Sequence, residues 1–223
     1  MTGYVDALVV ATSNKGKLEE LRALLAGLPV EVRSVAEVLA EPPKVVEDRD
    51  TFEGNAIKKA TEIAHATMML TLADDSGLEV DALDGRPGVR SARFAHTRAT
   101  DAENNAALLA ALDALGEAPV TSPSGGFSAR FRCVLALVDP FTRAGRAQTV
   151  EGVCAGVITR AARGSGGFGY DPLFVVDGTE RTMAELQHDD KNRISHRARA
   201  FAALRPLLER VLRERADQAA RVG

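Results

Sequence analysis

Short apolar runs alternate with longer segments of helical periodicity along this chain of 223 residues, and this alternation constrains the fold more than any other feature. Residues 7–11 (ALVVA) have the pattern of a short buried strand, and residues 17–25 (KLEELRALL) then place three leucines on one helical face. Further strand-like runs lie at 30–35, 69–73, 131–138, 149–153 and 173–176. Helix-like segments lie at 52–66, after the Thr100/Glu103 capping box, and from about Ser195 onward. In the last of these helices, Pro206 is expected to cause a kink or to reset the helix start. The pattern predicts an α/β fold, with a sheet flanked by helices.

Composition narrows the class of protein and of partner. Hydrophobic residues make up 45% of the chain and charged residues 26%, enough for one packed domain over residues 1–223. The net charge of -3 disfavours nucleic acid as a partner, because its phosphate backbone selects clustered Lys and Arg. No apolar run is long enough for a membrane span, and no signal peptide precedes Val10, so we expect a cytoplasmic protein without a membrane partner. The two cysteines, Cys133 and Cys154, are expected to be buried free thiols.

The first chemical signal lies between the first predicted strand and helix, at Thr12, Ser13, Asn14, Lys15, Gly16 and Lys17. A helix start offers free backbone N–H groups and a positive dipole end, so this loop can bind phosphate. An ordinary capped helix with exposed lysines is the equally open alternative. The loop is not a Walker A motif, because Ala11 and Leu18 replace its first glycine and its metal-binding Ser/Thr.

A second glycine-rich segment, residues 164–169 (GSGGFG), satisfies the dinucleotide-binding pattern but stands in the wrong context. That pattern must follow a strand and open a helix. Here Pro172 and an apolar, β-branched run follow the glycines. We therefore reject NAD as a ligand.

Paired carboxylates follow a predicted buried strand. Asp74 and Asp75 are expected to stand where that strand ends, before a turn at Ser76 and Gly77. Adjacent carboxylates repel each other unless a cation compensates, and Mg²⁺ suits such a pair, although a solvated turn is the alternative. Glu47 belongs to a second acidic cluster, just before the helix that carries Lys58 and Lys59.

Three donor side chains, Lys191, His196 and Arg197, lie close together in residues 191–197 (KNRISHR). Arg and Lys can donate to the carbonyl oxygen of a 6-keto purine but cannot favourably face the amino group of adenine. A basic, solvated helix start is the alternative interpretation.

Taken together, five motifs resemble the inosine/xanthosine triphosphate pyrophosphatase family, the bacterial RdgB-like group. They are ATSNKGKLEEL at 11–21, TFEGNAIKKA at 51–60, ADDSGLEVDALDGRPGVRSARFA at 73–95, GGFGYDPLF at 166–174 and KNRISHRARA at 191–200. They stand in the family's order and span nearly the whole chain. The resemblance implies a long twisted mixed β-sheet flanked by helices, with two lobes, the nucleotide site in the cleft between them, and a homodimer.

The resemblance also implies an activity and the residues that perform it. The activity is hydrolysis of ITP, dITP and XTP to the monophosphate and pyrophosphate with Mg²⁺, which cleanses the nucleotide pool. Residues Thr12 to Lys17 would bind the triphosphate, Lys59 would contact phosphate, and Ser76 would bind substrate. Asp75 would hold the metal and orient or deprotonate the attacking water, with Asp74 and Glu47 supporting the metal. Phe168 would stack on the purine, and the base and phosphate pocket would be lined by Gly169, Tyr170, Asp171, Lys191, His196 and Arg197.

Two positions depart from the family's pattern, and three alternatives stay open. Ala198 stands where glycine is usual after Ser-His-Arg, and Cys154 lies where a large aromatic residue is frequent. A pyrophosphatase of the Maf kind, acting on modified pyrimidine nucleotides, would share the general architecture. A sensor that binds a purine triphosphate without turnover, or a transferase or kinase, would differ in the products released.

Overall fold

A computed structural model of the protein describes residues 6–115, 126–142 and 146–222. Its strands, in chain order, are β1 (Asp6–Ala11), β2 (Val30–Ser34), β3 (Leu70–Val80), β4 (Phe127–Val138), β5 (Gln148–Ile158) and β6 (Phe174–Val176). Its helices are α1 (Lys15–Leu25), α2 (Val35–Val38), α3 (Phe52–Thr67), α4 (Asp101–Asp113), α5 (His188–Ile194) and α6 (His196–Val222). The predicted strands and the four predicted helices, α1, α3, α4 and α6, are confirmed, while α2 and α5 were not predicted.

The strands form one mixed sheet in the order β2-β1-β3-β4-β5-β6. β1 is parallel to both of its neighbours, with Leu8 opposite Val32 on β2 and Leu70 on β3, whereas β5 and β6 are antiparallel. The predicted fold class, a mixed sheet flanked by helices, is therefore confirmed. Because β2 and β3 lie on opposite sides of β1, right-handed crossovers are expected to place α1 and α3 on opposite faces of the sheet.

β3 is longer than the sequence suggested. The prediction that it ends at Ala73, before a turn at residues 74–77, is wrong, since β3 continues in extended conformation to Val80. Leu78 and Val80 are fully buried, so the extended backbone carries two more core residues inward. Asp74 and Asp75 consequently lie within the strand rather than at its end.

The longest helix also differs from expectation. α6 runs from His196 to Val222 with Pro206 inside it, so the proline does not reset its start. A proline within a helix removes one backbone hydrogen bond. Leu204 and Leu208, on either side of it, are both fully buried, and their packing offsets that loss.

The chain divides into two compact units, each with its own buried residues. The first comprises the residues up to Asp75, 134–151 and those from Ala200 onward. There, Arg215 on α6 pairs with the carboxylates of Asp6 and Asp139 and so ties the helix to β1 and to the end of β4.

The second unit comprises residues 76–133 and 152–199. Its core joins leucines of β3 and α4 to Phe131 and Phe174, whose ring centroids lie 4.6 Å apart. Cys154 belongs to this core, and both cysteines are buried free thiols, as predicted. Within the three described ranges, no helix combines the length and hydrophobicity that a membrane crossing requires.

Candidate active site

The loop after β1 is shaped by its own side chains. α1 begins at Lys15, and the carboxamide oxygen of Asn14 caps it by accepting from the backbone N–H of Lys17 at 3.0 Å. The hydroxyl oxygen of Thr12 accepts from the N–H of Asn14 at 3.2 Å. Ser13, Asn14 and Lys15 are exposed, so the positive end of α1 is open to an anion.

Lys17 and Asp74 form an ion pair in the first unit. The Lys17 ammonium lies 2.5 Å from Asp74 Oδ1, and the Asp74 side chain has no solvent exposure. A buried carboxylate requires such a partner, because the protein interior solvates charge poorly. The lysine of the phosphate loop is thereby fixed to β3.

A second lysine, Lys59 on α3, connects three groups. Its ammonium lies 2.8 Å from Glu47 Oε1, 2.9 Å from Asp75 Oδ1 and 2.6 Å from the backbone oxygen of Asp74. Burial acts to lower the pKa of Lys59, but the carboxylates of Asp75 and Glu47 outweigh it, so the pKa is raised and the side chain stays charged. The acidic segment before α3 thus contributes a buried contact rather than only a solvated helix start.

Asp75 combines burial with nearby positive charge. Burial raises the pKa of its carboxyl, and the ammonium groups of Lys59 and Lys17 offset part of that effect. The net direction is upward, which makes Asp75 a stronger base than an ordinary aspartate. A raised pKa on a buried carboxylate that faces two lysines is typical of a functional site.

The carboxylates of Glu47 and Asp75 fit a divalent cation, since both converge on one positive group, the Lys59 ammonium. Mg²⁺ usually takes one or two carboxylates and completes its shell with water and substrate phosphate. Among the described residues, no three His, Cys, Asp or Glu side chains group into a metal site by themselves. Successive side chains of a strand point to opposite faces, so the predicted role of Asp74 beside Asp75 at the metal stays a prediction.

The second unit contains a separate polar cluster around Phe168. The Lys191 ammonium lies 2.8 Å from Asp171 Oδ2, which also accepts from the backbone N–H of Phe168 at 3.1 Å. The same ammonium lies 5.0 Å from the centre of the Phe168 ring, and the Arg197 guanidinium carbon lies 5.7 Å from it. A half-buried aromatic ring therefore stands beside two cations.

The basic residues near the start of α6 are buried, so the solvated interpretation is wrong. Arg197 is 1% exposed and donates to the hydroxyl of Ser76 at 3.1 Å, and the His196 ring stacks on Phe131 with centroids 4.9 Å apart. Lys191 lies on α5, the short helix that precedes α6. Ala198, where glycine is usual, is also buried, and its N–H donates to the Ser195 hydroxyl at 3.2 Å.

Three contacts of this cluster were not predicted. Asp101 Oδ2 accepts from the backbone N–H of Gly169 at 2.7 Å, and Asn105 Nδ2 donates to the Gly169 carbonyl oxygen at 3.0 Å. Tyr170 donates its hydroxyl to the Ser91 carbonyl oxygen at 2.9 Å. The four-residue spacing of Asp101 and Asn105 was the available signal, because it places both on one face of α4.

Sequence comparison decides which family these features belong to. The sequence model of the Ham1 family matches residues 8–207. The chain belongs to the Ham1 family. This match favours the predicted resemblance over the Maf-type alternative.

Curated relatives and solved structures agree with Ham1 membership. The chain is 50% identical over 198 residues to a dITP/XTP pyrophosphatase of Geobacter sulfurreducens, covering 89% of this chain and 94% of the relative. It is 49% identical over 204 residues to a dITP/XTP pyrophosphatase of Desulforamulus reducens, covering 92% of this chain and 96% of the relative. A HAM1 protein from Coxiella burnetii has a similar structure, with a TM-score of 0.77 and 40% identity over 94% of this chain and 99% of that one.

Proposed function

We propose that this protein hydrolyses the non-standard purine nucleoside triphosphates ITP, dITP and XTP to the monophosphate and pyrophosphate, in a reaction that depends on Mg²⁺. The observation that carries the proposal is the placement of the Lys59 ammonium between Glu47 and Asp75, in a chain about half identical to proteins named dITP/XTP pyrophosphatase. The cluster combines cations for phosphate with a carboxylate of raised pKa.

The triphosphate would bind at the start of α1. The backbone N–H groups of the first turn and the exposed side chains of residues 13–15 would donate to phosphate oxygens. Lys17 and Lys59 would neutralise the charge that develops on those oxygens as the bond to the leaving group breaks. Their buried carboxylate partners keep both lysines in place before substrate arrives.

Asp75 would orient the attacking water and accept its proton. The water oxygen forms a bond to the α-phosphorus, the bond from that phosphorus to the bridging oxygen breaks, and pyrophosphate leaves. Mg²⁺, held by Glu47 and Asp75, would supply Lewis-acid polarisation of phosphate oxygens.

The base would be recognised by the cluster around Phe168. The ring would stack on the purine, while Lys191, His196 and Arg197 would donate to the 6-keto oxygen. The 6-amino group of adenine is itself a donor and cannot accept from these groups, which disfavours ATP.

The test is the initial rate of pyrophosphate release from ITP, XTP, dITP, ATP and GTP, with Mg²⁺ and with EDTA. Turnover of ITP and XTP far above ATP and GTP, lost with EDTA and in Asp75→Asn, is expected. Equal use of ATP would contradict the proposal and indicate a general nucleoside triphosphatase. ITP binding without turnover would favour the sensor.

We also propose that the protein acts in the cytoplasm as a homodimer. Two buried free cysteines suit a reducing compartment, which supports the first part. The dimer rests on the family resemblance alone. Light scattering coupled to gel filtration would test it, and a mass of one chain, 23.7 kDa, would contradict it.

A further inference from the structure

We infer that Asp101 and Asn105 on α4 are positioning residues for purine recognition, because they hold Gly169 beside the predicted stacking residue Phe168. The inference rests on the proposed function, since it concerns how the base is selected. Neither residue belongs to the predicted site.

The two side chains bind both polar groups of one residue. Asp101 accepts from the Gly169 N–H at 2.7 Å, and Asn105 donates to the Gly169 carbonyl at 3.0 Å. Residues four apart lie on the same side of a helix, so α4 presents an acceptor and a donor together. A residue bound through both its N–H and its C=O has little freedom to rotate about either of its backbone dihedrals.

Gly169 needs such a constraint because of its conformation. Its φ of +61° lies in the left-handed region, and a Cβ added there would meet no atom within 4 Å. Crowding therefore does not hold this backbone in place. Glycine visits left- and right-handed conformations with similar ease, so Asp101 and Asn105 select one of them.

The backbone conformation of Gly169 determines where its neighbours in the base site lie. Phe168 precedes it, with its N–H bound to Asp171 and its ring beside the cations of Lys191 and Arg197. Tyr170 follows it and is anchored by its hydroxyl to Ser91. With Tyr170 fixed, a rotation at Gly169 would turn the Phe168 ring away from its cations.

The side chain of Asn105 also makes an unfavourable contribution to stability, which a purely stabilising role would not explain. Its Oδ1 is buried and has no hydrogen-bond partner within the described part of the chain. A buried acceptor left without a partner destabilises a fold. The opposite orientation of the amide would set Oδ1 against the Gly169 carbonyl oxygen, so the geometry favours donation to Gly169.

The test compares Asp101→Ala and Asn105→Ala with two controls. Asp101→Asn keeps an acceptor for Gly169 while removing the same charge from the first turn of α4. Glu103→Ala removes the capping box of α4 without any contact to Gly169. Each variant is assayed for kcat and KM with ITP and with ATP.

We expect a ~10- to 100-fold fall in kcat/KM for ITP in both alanine variants, as follows when a binding group is misplaced by about 1 Å. The fall should appear mainly in KM, because the lysines and Asp75 are untouched, and the preference for ITP over ATP should shrink with it. Asp101→Asn and Glu103→Ala should keep the wild-type preference. If the wild-type protein hydrolyses ITP and both alanine variants keep its substrate preference, the inference is overturned and the proposed function stands.

Hydrogen exchange supplies a readout that needs no activity. Backbone amides of residues 166–172 should exchange faster in Asp101→Ala and Asn105→Ala than in wild type or Glu103→Ala. Unchanged exchange would overturn the inference. If the wild-type protein does not hydrolyse ITP, the proposed function and the role of Asp101 and Asn105 in base recognition are both overturned. Hydrogen exchange would then still decide whether α4 holds the backbone at Gly169.

Discussion

The ammonium of Lys59 lies 2.9 Å from the carboxylate of Asp75, and Glu47 approaches the same ammonium at 2.8 Å. One positive charge therefore serves two carboxylates, which leaves the group with a net negative charge. A divalent cation would more than offset that charge and leave the group positive toward an incoming triphosphate.

Replacing Lys59 by methionine should destabilise the protein and increase its response to Mg²⁺. The change leaves Glu47 and Asp75 without their shared ammonium, and loss of one partner of a buried pair costs about 3 kcal/mol. Mg²⁺ should restore more stability to the variant than to wild type, because the cation replaces the lost charge. Urea unfolding with and without Mg²⁺ measures both effects.

Lys58→Met is the matched control for that experiment. Lys58 pairs with Asp48 and Glu62, whose side chains are 54% and 44% exposed, so its loss should cost under about 1 kcal/mol. It should not change the response to Mg²⁺. An equal Mg²⁺ response in the two variants would contradict the placement of a cation at Glu47 and Asp75.

Asp74→Asn should affect nucleotide binding more than metal binding. Asp74 holds the Lys17 ammonium, and strand alternation turns its side chain away from the face of Asp75. We expect KM for ITP to rise about 10-fold, because Lys17 loses its charged anchor. In Asp74→Asn, the Mg²⁺ concentration that gives the half-maximal rate should stay within about 2-fold of the wild-type value, whereas Asp75→Asn should raise it. An equal rise in both variants would contradict this prediction and make Asp74 a metal ligand.

Strand and helix positions could be predicted from the sequence because they depend on local periodicity. The first strand and helix, the capped start of α4 and the start of α6 were all placed within two residues of the bounds in the structure. The extension of β3 through Asp74 and Asp75 was missed. Local propensity disfavours aspartate in strands, and the ammonium groups of Lys17 and Lys59, distant in sequence, compensate these two carboxylates.

The candidate site was only partly predictable for the same reason. Its charged residues stand out in the sequence, but burial separates a binding residue from a solvated one, and burial depends on packing. Arg197 was compatible with a solvated helix start until the structure placed it inside the second unit. The four-residue spacing places Asp101 and Asn105 on one face of α4, but it does not identify their partner Gly169, which lies 64 positions from Asn105.

Gly167→Ala should be far more damaging than Gly169→Ala. A Cβ on Gly167 would lie 2.0 Å from Asp171 Oδ2 and 3.1 Å from Lys191 Nζ, whereas one on Gly169 meets nothing within 4 Å. Both positions have left-handed backbones, so each substitution carries about 1–2 kcal/mol of conformational strain. Only Gly167→Ala should also break the Lys191–Asp171 pair, which urea unfolding would detect as the larger loss; equal losses would contradict this geometry.

Cys154 should make the protein less stable at high pH. Burial raises the pKa of its thiol from 9.0 to about 11, so the folded state resists ionisation that the unfolded chain undergoes. This contribution to stability is complete below pH 9.0 and is lost progressively as the pH rises through about 11. At pH 10 it should have fallen by about 1 kcal/mol.

The measurement compares the free energy of unfolding of wild type and Cys154→Ala between pH 8 and pH 10. The difference isolates this thiol, because lysines and tyrosines titrate in both proteins. Wild type should lose about 1 kcal/mol more than the variant over this range. Parallel pH profiles would mean that the thiol ionises as easily in the folded protein as in the unfolded chain.

The central claim, that water attacks the α-phosphorus of a purine triphosphate at the lysine and aspartate cluster, is tested most directly by hydrolysis of ITP in ¹⁸O-labelled water. Phosphorus NMR of the products identifies both the bond that breaks and the fragment that takes up the label. The account predicts inosine monophosphate carrying one ¹⁸O, with unlabelled pyrophosphate in equal amount. Inosine diphosphate with orthophosphate, or label in the pyrophosphate, would contradict it.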